Sequence, residues 1–141
     1  MAIVYINIGS NLGDRKVFIE KALEKIGEIF GYYCISEFVE SVPWGFDSTN
    51  SFINVGAAFK SGLHPEEILD KLQNIEKELS GVSHRDEKGN YSDREIDIDI
   101  MAIDEMKYKS ERLQIPHIHL QEREFFIVPL KQLCPDLKLP V

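Results

Sequence analysis

The chain has 141 residues, 43% of them hydrophobic, and a formal net charge of −8 at pH 7, which fits one domain with a buried core. The acidic excess argues against general adhesion to nucleic acid or to an anionic membrane, although a local cluster of Arg and Lys could still bind an anionic small ligand. Cys34 and Cys134 show neither metal-site spacing nor a disulfide framework, so we expect a reducing cytoplasm.

The first half of the chain predicts a strand, a helix and two further strands. Residues 2–8 are apolar and branched, and because no basic segment precedes them we interpret them as a central strand rather than a signal peptide. Gly9, Ser10 and Asn11 are expected to end this strand, and Asp14 to cap a helix that runs to about residue 30. The predicted buried face of that helix holds Phe18, Ala22, Leu23, Ile26, Ile29 and Phe30. Strands are predicted at 32–42 and 51–60, joined by a Pro- and Gly-containing loop at 43–50.

The second half predicts a helix, a loop, a strand and a C-terminal extension. Pro65 at the first helical position, followed by two acids, is typical of a helix start. The predicted buried stripe of this helix is Ile68, Leu69, Leu72, Ile75 and Leu79. Residues 80–93 are polar without periodicity, 95–103 predict a strand, 107–115 a small hairpin and 125–133 an amphipathic segment.

The predicted order is β-α-β-β-α-β followed by the extension. That order is typical of a ferredoxin-like α+β fold, an antiparallel sheet with helices packed on it. Repeats, low-complexity tracts and an interdomain linker are not evident, so we expect one domain over residues 1–141.

Two aspartates interrupt the apolar strand predicted at 95–103. Asp97 and Asp99 alternate with isoleucines, so they share one face, with Cα atoms roughly 6.5 Å apart. Two carboxylates at this distance can hold one or two hard cations such as Mg²⁺, which fills its other positions with water and phosphate.

The pair alone does not decide between a metal site and the wet face of a half-exposed antiparallel sheet. Arg94 directly before the pair suits a triphosphate beside a metal. An ordinary ion pair of Arg94 with Asp93 or Glu95 is the alternative.

At these residues the sequence resembles hydroxymethyldihydropterin pyrophosphokinase, which transfers pyrophosphate from ATP to a hydroxymethyldihydropterin in folate biosynthesis. R-E-I-D-I-D-I-M at 94–101 is similar to the family signature R-x-[LI]-D-[LI]-D-[ILM]. The similar segments, in chain order, are Y-I-N-I-G-S-N-L-G at 5–13, S-F-I-N-V-G-A at 51–57, Q-x-x-E at 73–76, I-P-H at 115–117 and R-x-F at 123–125. They cover nearly the whole chain, and the family's ferredoxin-like fold agrees with the predicted order.

The resemblance implies that Asp97 and Asp99 bind two Mg²⁺ ions against the phosphates of ATP, with Arg94 beside them as a catalytic cation. For the pterin it implies Asn54, which offers a complementary amide, and Phe52 and Phe125, which offer stacking surfaces. Ser41, Val42, Pro43 and Trp44 correspond to the family's pterin-contacting loop. Phe52 and Phe125 as plain core residues, and Trp44 as a packing residue, remain alternatives.

On the ATP side the resemblance implies a second group of contacts. Its members are Gln73, Glu76, Arg94, Ile100, Arg112, His117 and Arg123. A solvated helix face is the alternative for Gln73 and Glu76, and a structural role is the alternative for His117. No general base is assigned, because metal and geometry can suffice for attack by a primary alcohol.

The polar loop departs from the family pattern. The family has arginines soon after a glycine, in a loop that closes over ATP, whereas here Gly81 is followed by Val82, Ser83 and His84. Arg85 and Lys88 remain in this loop, and Arg85 is the candidate catalytic cation. Because Asp86, Glu87 and Asp93 make residues 84–94 locally neutral, we expect slower catalysis or a different use of Arg85 and Lys88.

The sequence therefore predicts an ATP-dependent, Mg²⁺-dependent pyrophosphokinase of folate biosynthesis. We expect it to act in the cytoplasm on ATP and 6-hydroxymethyl-7,8-dihydropterin, without nucleic acid, membrane or an obligate protein partner, and as a single-activity chain. The alternatives are a weakened homologue that senses pterin or nucleotide, a ferredoxin-like interaction module, and a different metal-dependent phosphotransferase.

Overall fold

The computed structural model describes residues 1–11, 13–41, 51–80 and 96–137. Its strands are β1 (Ala2–Ser10), β2 (Tyr33–Ile35), β3 (Val39–Ser41), β4 (Phe52–Ser61), β5 (Asp97–Ile103), β6 (Tyr108–Lys109) and β7 (Gln114–Ile115). Its helices are α1 (Arg15–Phe30), α2 (Pro65–Ser80) and α3 (Glu124–Leu133). The main sheet is antiparallel with the order β2-β4-β1-β5, β3 also pairs with β4, and β6 and β7 form a separate hairpin. Within the described residues, no helix is long and apolar enough to cross a membrane.

Two strand predictions need correction. β1 does not end before Gly9, because Gly9 and Ser10 still pair with Asn54 and Ile53 of β4. The strand predicted at 32–42 is two short strands separated at residues 36–38. The Ser36 hydroxyl accepts a hydrogen bond from the Gly56 amide at 2.8 Å. A side-chain hydrogen bond therefore joins this segment to β4 where the regular backbone ladder of β2 stops.

The helices largely follow their predicted apolar stripes. Asp14 caps α1 by accepting from the Val17 amide at 3.3 Å, as predicted. Ile19 is buried although it was not predicted, whereas Ile29 is 44% exposed, so that prediction is wrong. Phe30 makes the last core contact of α1 by stacking on Phe59, with ring centroids 4.2 Å apart. The buried face of α2 holds Pro65, Ile68, Leu69, Leu72 and Ile75, and Leu79 packs partly buried against the same core.

The alternation of β5 places its isoleucines and its aspartates on opposite faces of the sheet. Ile98 and Ile100 lie in the core formed with α1 and α2, as predicted, while Asp97 and Asp99 are only half-buried. Full burial of one isoleucine stabilises by about 1.5–3 kcal/mol. A one-residue slip would bury the aspartates instead, so the apolar core fixes the register of β5.

A bulge in β5 lies where the face that carries the aspartates, hereafter the second face, changes from acidic to apolar. Ile6 pairs with Ile100 and Tyr5 pairs with Ala102, so Met101 is the extra residue. Met101 and Ala102 both join the apolar cluster under α3. The second face of β5 is therefore acidic as far as Asp99 and apolar from Met101 onward.

Helix α3 packs on this second face through a close approach at Gly56. A Cβ at Gly56 would lie 2.7 Å from Cβ of Pro129 and 3.0 Å from Cδ1 of Leu133. Glu37, in the gap between β2 and β3, donates its amide to the side chain of Gln132 at 2.8 Å. The missing side chain at Gly56 thus sets how closely α3 lies on the sheet.

We predict that Gly56→Ala destabilises the chain by about 1–3 kcal/mol, because the new methyl group overlaps Pro129 and α3 must shift. The measurement is the free energy of unfolding by urea denaturation. Gly62→Ala is the matched control, since a Cβ there meets only the Met1 side chain, at 3.8 Å. Equal stability of the two variants would contradict the proposed close contact.

Candidate active site

Beside the apolar cluster under α3, the second face carries two rows of mainly polar residues. Gly9 of β1 pairs with Asn54 on one side and Asp97 on the other. In the next row Asn7 pairs with Gly56 and Asp99. Directly paired residues have Cβ atoms about 4.5–5.5 Å apart. The sheet register therefore brings an amide and two carboxylates from distant parts of the chain into one surface.

The predicted pterin residues lie at the β4 side of this surface. Asn54 is buried, and its Nδ2 donates to the Ser41 hydroxyl at 2.8 Å. Ser41 in turn pairs with Phe52. A Cβ at Gly9 would lie 2.8 Å from Oδ1 of Asn54 and 3.3 Å from Cδ1 of Phe52. Glycine at position 9 therefore leaves the space that both side chains use.

Phe125 reaches the same face from the first turn of α3. Its backbone carbonyl accepts a hydrogen bond from Nδ2 of Asn7 at 2.7 Å. Its half-buried ring packs edge-on against Phe126, with ring centroids 5.0 Å apart. Sequence reasoning missed Asn7, although a buried amide within the apolar run I-V-Y-I-N-I is a signal of the same kind as the aspartates.

A groove of about 220 Å³ runs along β5, between α2 and residues 112–118. Most of the predicted nucleotide residues line it together with both aspartates. Its lining includes Gln73, Glu76, Asp97, Asp99, Ile100, Arg112 and His117. Residues far apart in the sequence thus meet in one concave surface, as an ATP site requires.

The Glu76 side chain is hydrogen-bonded to the backbone of β5. Its Oε2 accepts a hydrogen bond from the Ile98 amide at 2.8 Å. Ile98 lies between Asp97 and Asp99, so this bond fixes the backbone at the point from which both carboxylates project. The predicted contact of Glu76 with ATP stays a prediction beside this structural role.

Arg112 is held at the side of the groove by α2. It forms ion pairs with Asp70 and, at 3.4 Å, with Glu66. Glu66 also accepts from the hydroxyls of Tyr108 at 2.8 Å and Ser110 at 2.6 Å, and hydrogen bonds from Ser110 and Tyr108, in that order, lower the pKa of the Glu66 carboxyl. The guanidinium is therefore present at the groove but already paired with protein carboxylates.

His117 links the groove to α3. Its Nδ1 accepts from the His119 amide at 3.0 Å, and its ring lies edge-on to Phe126 with centroids 4.9 Å apart. Burial, followed by the positive charges of Arg123 and His119, lowers the pKa of His117 to about 4. The ring is therefore neutral at pH 7 and carries one proton. Because Nδ1 accepts a hydrogen bond, that proton is assigned to Nε2. That atom lies 3.8 Å from Oδ1 of Asp99, so the contact is polar rather than an ion pair.

Arg123 lies behind the groove rather than on its lining. It is 5% exposed, and its guanidinium carbon lies 4.9 Å from the Phe126 ring centroid and 5.6 Å from that of Phe125. Cation–π contacts of this kind orient aromatic rings. The predicted contact of Arg123 with ATP stays a prediction.

Five predicted site residues lie outside the described residues. They are Val42, Pro43, Trp44, Arg85 and Arg94. Their assignments remain those that the sequence resemblance implies.

The donor set fits a hard cation that is shared with a ligand. Among the described residues, no three or more His, Cys, Asp or Glu side chains cluster as a complete metal cage. Asp97 and Asp99 are adjacent on one face and both line the groove. Mg²⁺ typically takes one or two carboxylates and completes its shell with water and substrate phosphate, so this pair is a suitable donor set.

We predict that His117→Asn flattens the acid dependence of stability. The pKa of His117 is about 4 in the folded chain and about 6.5 when unfolded, so the unfolded chain binds more protons between these pH values. The contribution is present above pH 6.5 and is lost as the pH falls towards 4, by up to about 3 kcal/mol.

Asparagine can keep the acceptor towards the His119 amide but does not titrate. The measurement is urea denaturation of both proteins at several pH values from 7 to 4. The difference in the free energy of unfolding between the two proteins cancels the titration of the carboxylates that they share. Parallel pH profiles for wild type and variant would contradict the prediction.

Comparison with known proteins identifies the family of the chain. The family model for 7,8-dihydro-6-hydroxymethylpterin-pyrophosphokinase (HPPK) matches residues 5–135. The 2-amino-4-hydroxy-6-hydroxymethyldihydropteridine pyrophosphokinase of Aquifex aeolicus is 38% identical over 141 residues, covering 100% of this chain and 86% of that protein. The protein of the same name from Porphyromonas gingivalis is 42% identical over 139 residues, covering 97% and 94%.

The fold is also similar to that of a solved structure. A crystal structure of Plasmodium falciparum HPPK-DHPS superimposes with a TM-score of 0.73 at 16% identity, covering 99% of this chain and 42% of that longer one. This likeness concerns the fold, a mixture of helices with an antiparallel sheet. With the family model and the curated relatives matching nearly end to end, the chain belongs to the 7,8-dihydro-6-hydroxymethylpterin-pyrophosphokinase family.

Proposed function

We propose that this chain transfers pyrophosphate from ATP to the hydroxymethyl group of 6-hydroxymethyl-7,8-dihydropterin and releases AMP, a step of folate biosynthesis. Family membership supports the activity. The observation that carries it is the single face that bears Asp97, Asp99 and Asn54, two carboxylates beside a buried amide. A plain interaction module would not require that combination.

In the proposed reaction the substrate hydroxyl oxygen bonds to the β-phosphorus of ATP. The bond from that phosphorus to the oxygen bridging to the α-phosphate breaks, and AMP leaves with the bond's electron pair. The hydroxyl proton passes to water, and no side chain is assigned as its acceptor. Positioning and electrostatic stabilisation provide most of the catalysis in such transfers.

Asp97 and Asp99 would hold Mg²⁺, two ions by the family resemblance. The metal supplies positive charge against the phosphates. The Glu76 bond to the Ile98 amide supports this role, because it fixes the strand segment between the two carboxylates.

For the pterin we propose stacking on Phe52 and Phe125 and recognition of its amide edge by Asn54. The hydrogen bond from Asn54 to Ser41 supports this role, since it fixes the orientation of the amide. Val42, Pro43 and Trp44 complete the proposed pterin site by resemblance.

For ATP we propose the groove along β5, with Gln73, Glu76, Ile100, Arg112 and His117 as contacts. A neutral His117 would donate from Nε2 to a phosphate oxygen without an added charge. Arg123 is proposed as a further nucleotide-side residue. Arg85 and Arg94 are proposed as the cations nearest the transferred group.

We also propose the fold class, the domain organisation and the cellular location of the chain. The strand order β2-β4-β1-β5 and the packing of α1 and α2 against the same side of the sheet support a ferredoxin-like description of one domain over residues 1–141. We infer a cytoplasmic setting from the sparse cysteines and propose no obligate protein partner.

We predict AMP release when the chain is incubated with ATP, Mg²⁺ and 6-hydroxymethyl-7,8-dihydropterin. Nucleotide products separated by ion-exchange chromatography provide the measurement, and omission of the dihydropterin provides the control. Release of ADP would instead indicate a different phosphotransferase. Binding of dihydropterin without any nucleotide product would indicate a sensor, and either result overturns the proposal.

We predict that Asp97→Asn and Asp99→Asn each lower kcat/KM by on the order of 10²–10³-fold, because one metal-binding carboxylate is lost. The free energy of unfolding should stay within about 1 kcal/mol of wild type, since both side chains are half-buried and Asn has nearly the same shape.

Asp136→Asn, on the exposed segment after α3, is the matched control and should keep full turnover. Full activity in both site variants would show that the pair does not serve the reaction.

A further inference from the structure

We propose that Asn7 is a positioning residue for the dihydropterin, because it holds the first turn of α3, and with it the Phe125 ring, against the sheet. The inference rests on the proposed function, since it takes Phe125 as an aromatic face for the substrate. Asn7 touches neither substrate in this scheme and acts through Phe125.

The inference starts from a carbonyl in α3 that lacks its usual donor. In an α-helix the carbonyl of one residue accepts from the amide four residues later. For Phe125 that residue is Pro129, which lies inside α3. Proline has no N–H, and its ring crowds the carbonyl four residues before it.

Asn7 supplies the missing donor from the sheet. Its Nδ2 lies 2.7 Å from the Phe125 carbonyl oxygen, and the residue is only 2% exposed. A buried carbonyl without a partner is costly, so the side-chain amide and the helix start are strongly coupled. The Phe125 backbone therefore has a fixed position relative to the centre of β1.

Pro129 meets the same row of the sheet. Asn7 pairs with Gly56, and a Cβ at Gly56 would lie only 2.7 Å from Cβ of Pro129. Pro129 thus removes a helix donor at the point where it packs on Gly56. Asn7 on the neighbouring strand β1 provides a hydrogen-bond donor in its place. Asn7, Gly56 and Pro129 form one docking unit, hereafter the α3 dock.

The α3 dock also fixes the position of Phe125 relative to β5. The other register partner of Asn7 is Asp99. One residue of β1 therefore relates the proposed stacking ring to a proposed metal-binding carboxylate. Loosening the dock should weaken binding of the dihydropterin more than binding of ATP, because Phe125 itself loses its hydrogen-bond donor, whereas the groove proposed for ATP is lined by α2, β5 and residues 112–118.

The first test is Asn7→Leu, which keeps a similar branched shape and removes the donor. The dissociation constant of 6-hydroxymethyl-7,8-dihydropterin, measured by fluorescence titration, should rise about tenfold. That of a non-hydrolysable ATP analogue with Mg²⁺ should stay within about twofold. Equal effects on both ligands would overturn the inference, since they would indicate general damage.

The second test restores the donor within the helix. Pro129→Ala returns an N–H at position 129 and keeps the Cβ that faces Gly56. In the Asn7→Leu background it should bring dihydropterin affinity to within about twofold of Pro129→Ala alone. If Asn7→Leu weakens binding by the same factor with and without Pro129→Ala, the hydrogen bond is not what positions Phe125.

Two further outcomes keep this inference separate from the proposed function. If Asn7→Leu does not fold, Asn7→Ala replaces it in both backgrounds with the same expectations. A wild-type chain that releases no AMP overturns the proposed function. Wild-type turnover together with unchanged dihydropterin affinity in the Asn7 variants overturns only the role of Asn7.

Discussion

The second face of the sheet has to be apolar where α3 covers it and polar where ligand chemistry is expected. Residues two apart on a strand share a face, so Asp97, Asp99 and Met101 all lie on this face, and the bulge adds Ala102 beside Met101 while Ile103 stays in the opposite core. The residues before the bulge keep Asp97 and Asp99 on this face, and the isoleucines keep the opposite face in the core. The acidic part of this face therefore ends at the bulge, where the apolar residues that α3 covers begin.

Polar groups on this face are paired within the protein rather than left to water. Asn54 donates to Ser41, Asn7 to the Phe125 carbonyl, and the amide of Ile98 to Glu76. Such pairing fixes side-chain directions because a buried polar group without a partner is costly. The site is therefore organised by the same hydrogen bonds that join strands to helices.

Much of this arrangement could be predicted from the sequence. Helical spacing located α1 and α2, and period-two alternation placed Asp97 and Asp99 on the face opposite the isoleucines. The split of the second strand could not be predicted, because it depends on Ser36 meeting Gly56, a contact between residues 20 positions apart. The exposure of Ile29, next to Phe30 that stacks on Phe59, likewise depends on how α1 packs on the sheet, which local spacing does not encode.

The candidate site, too, could be predicted only in part from the sequence. Residue types and their order indicated the aspartates, Asn54 and the groove residues, but not what holds them. The low pKa of His117 arises from burial and from Arg123, and the tether on Arg112 arises from Asp70 and Glu66 of α2. These are properties of tertiary neighbours, so no local pattern could predict them. Asn7 was missed because its partner carbonyl lies 118 residues later.

The bond between Glu76 and the Ile98 amide has a consequence for self-association. Among the described strands, β5 is at the edge of the main sheet, and an edge strand with free amides is a template for pairing with another chain. Here the side chain of Glu76 occupies one of those amides, and the residues on either side of it, Asp97 and Asp99, add like charges that repel a second copy. The acidic residues proposed to bind a metal thus also disfavour pairing of this edge with a second copy.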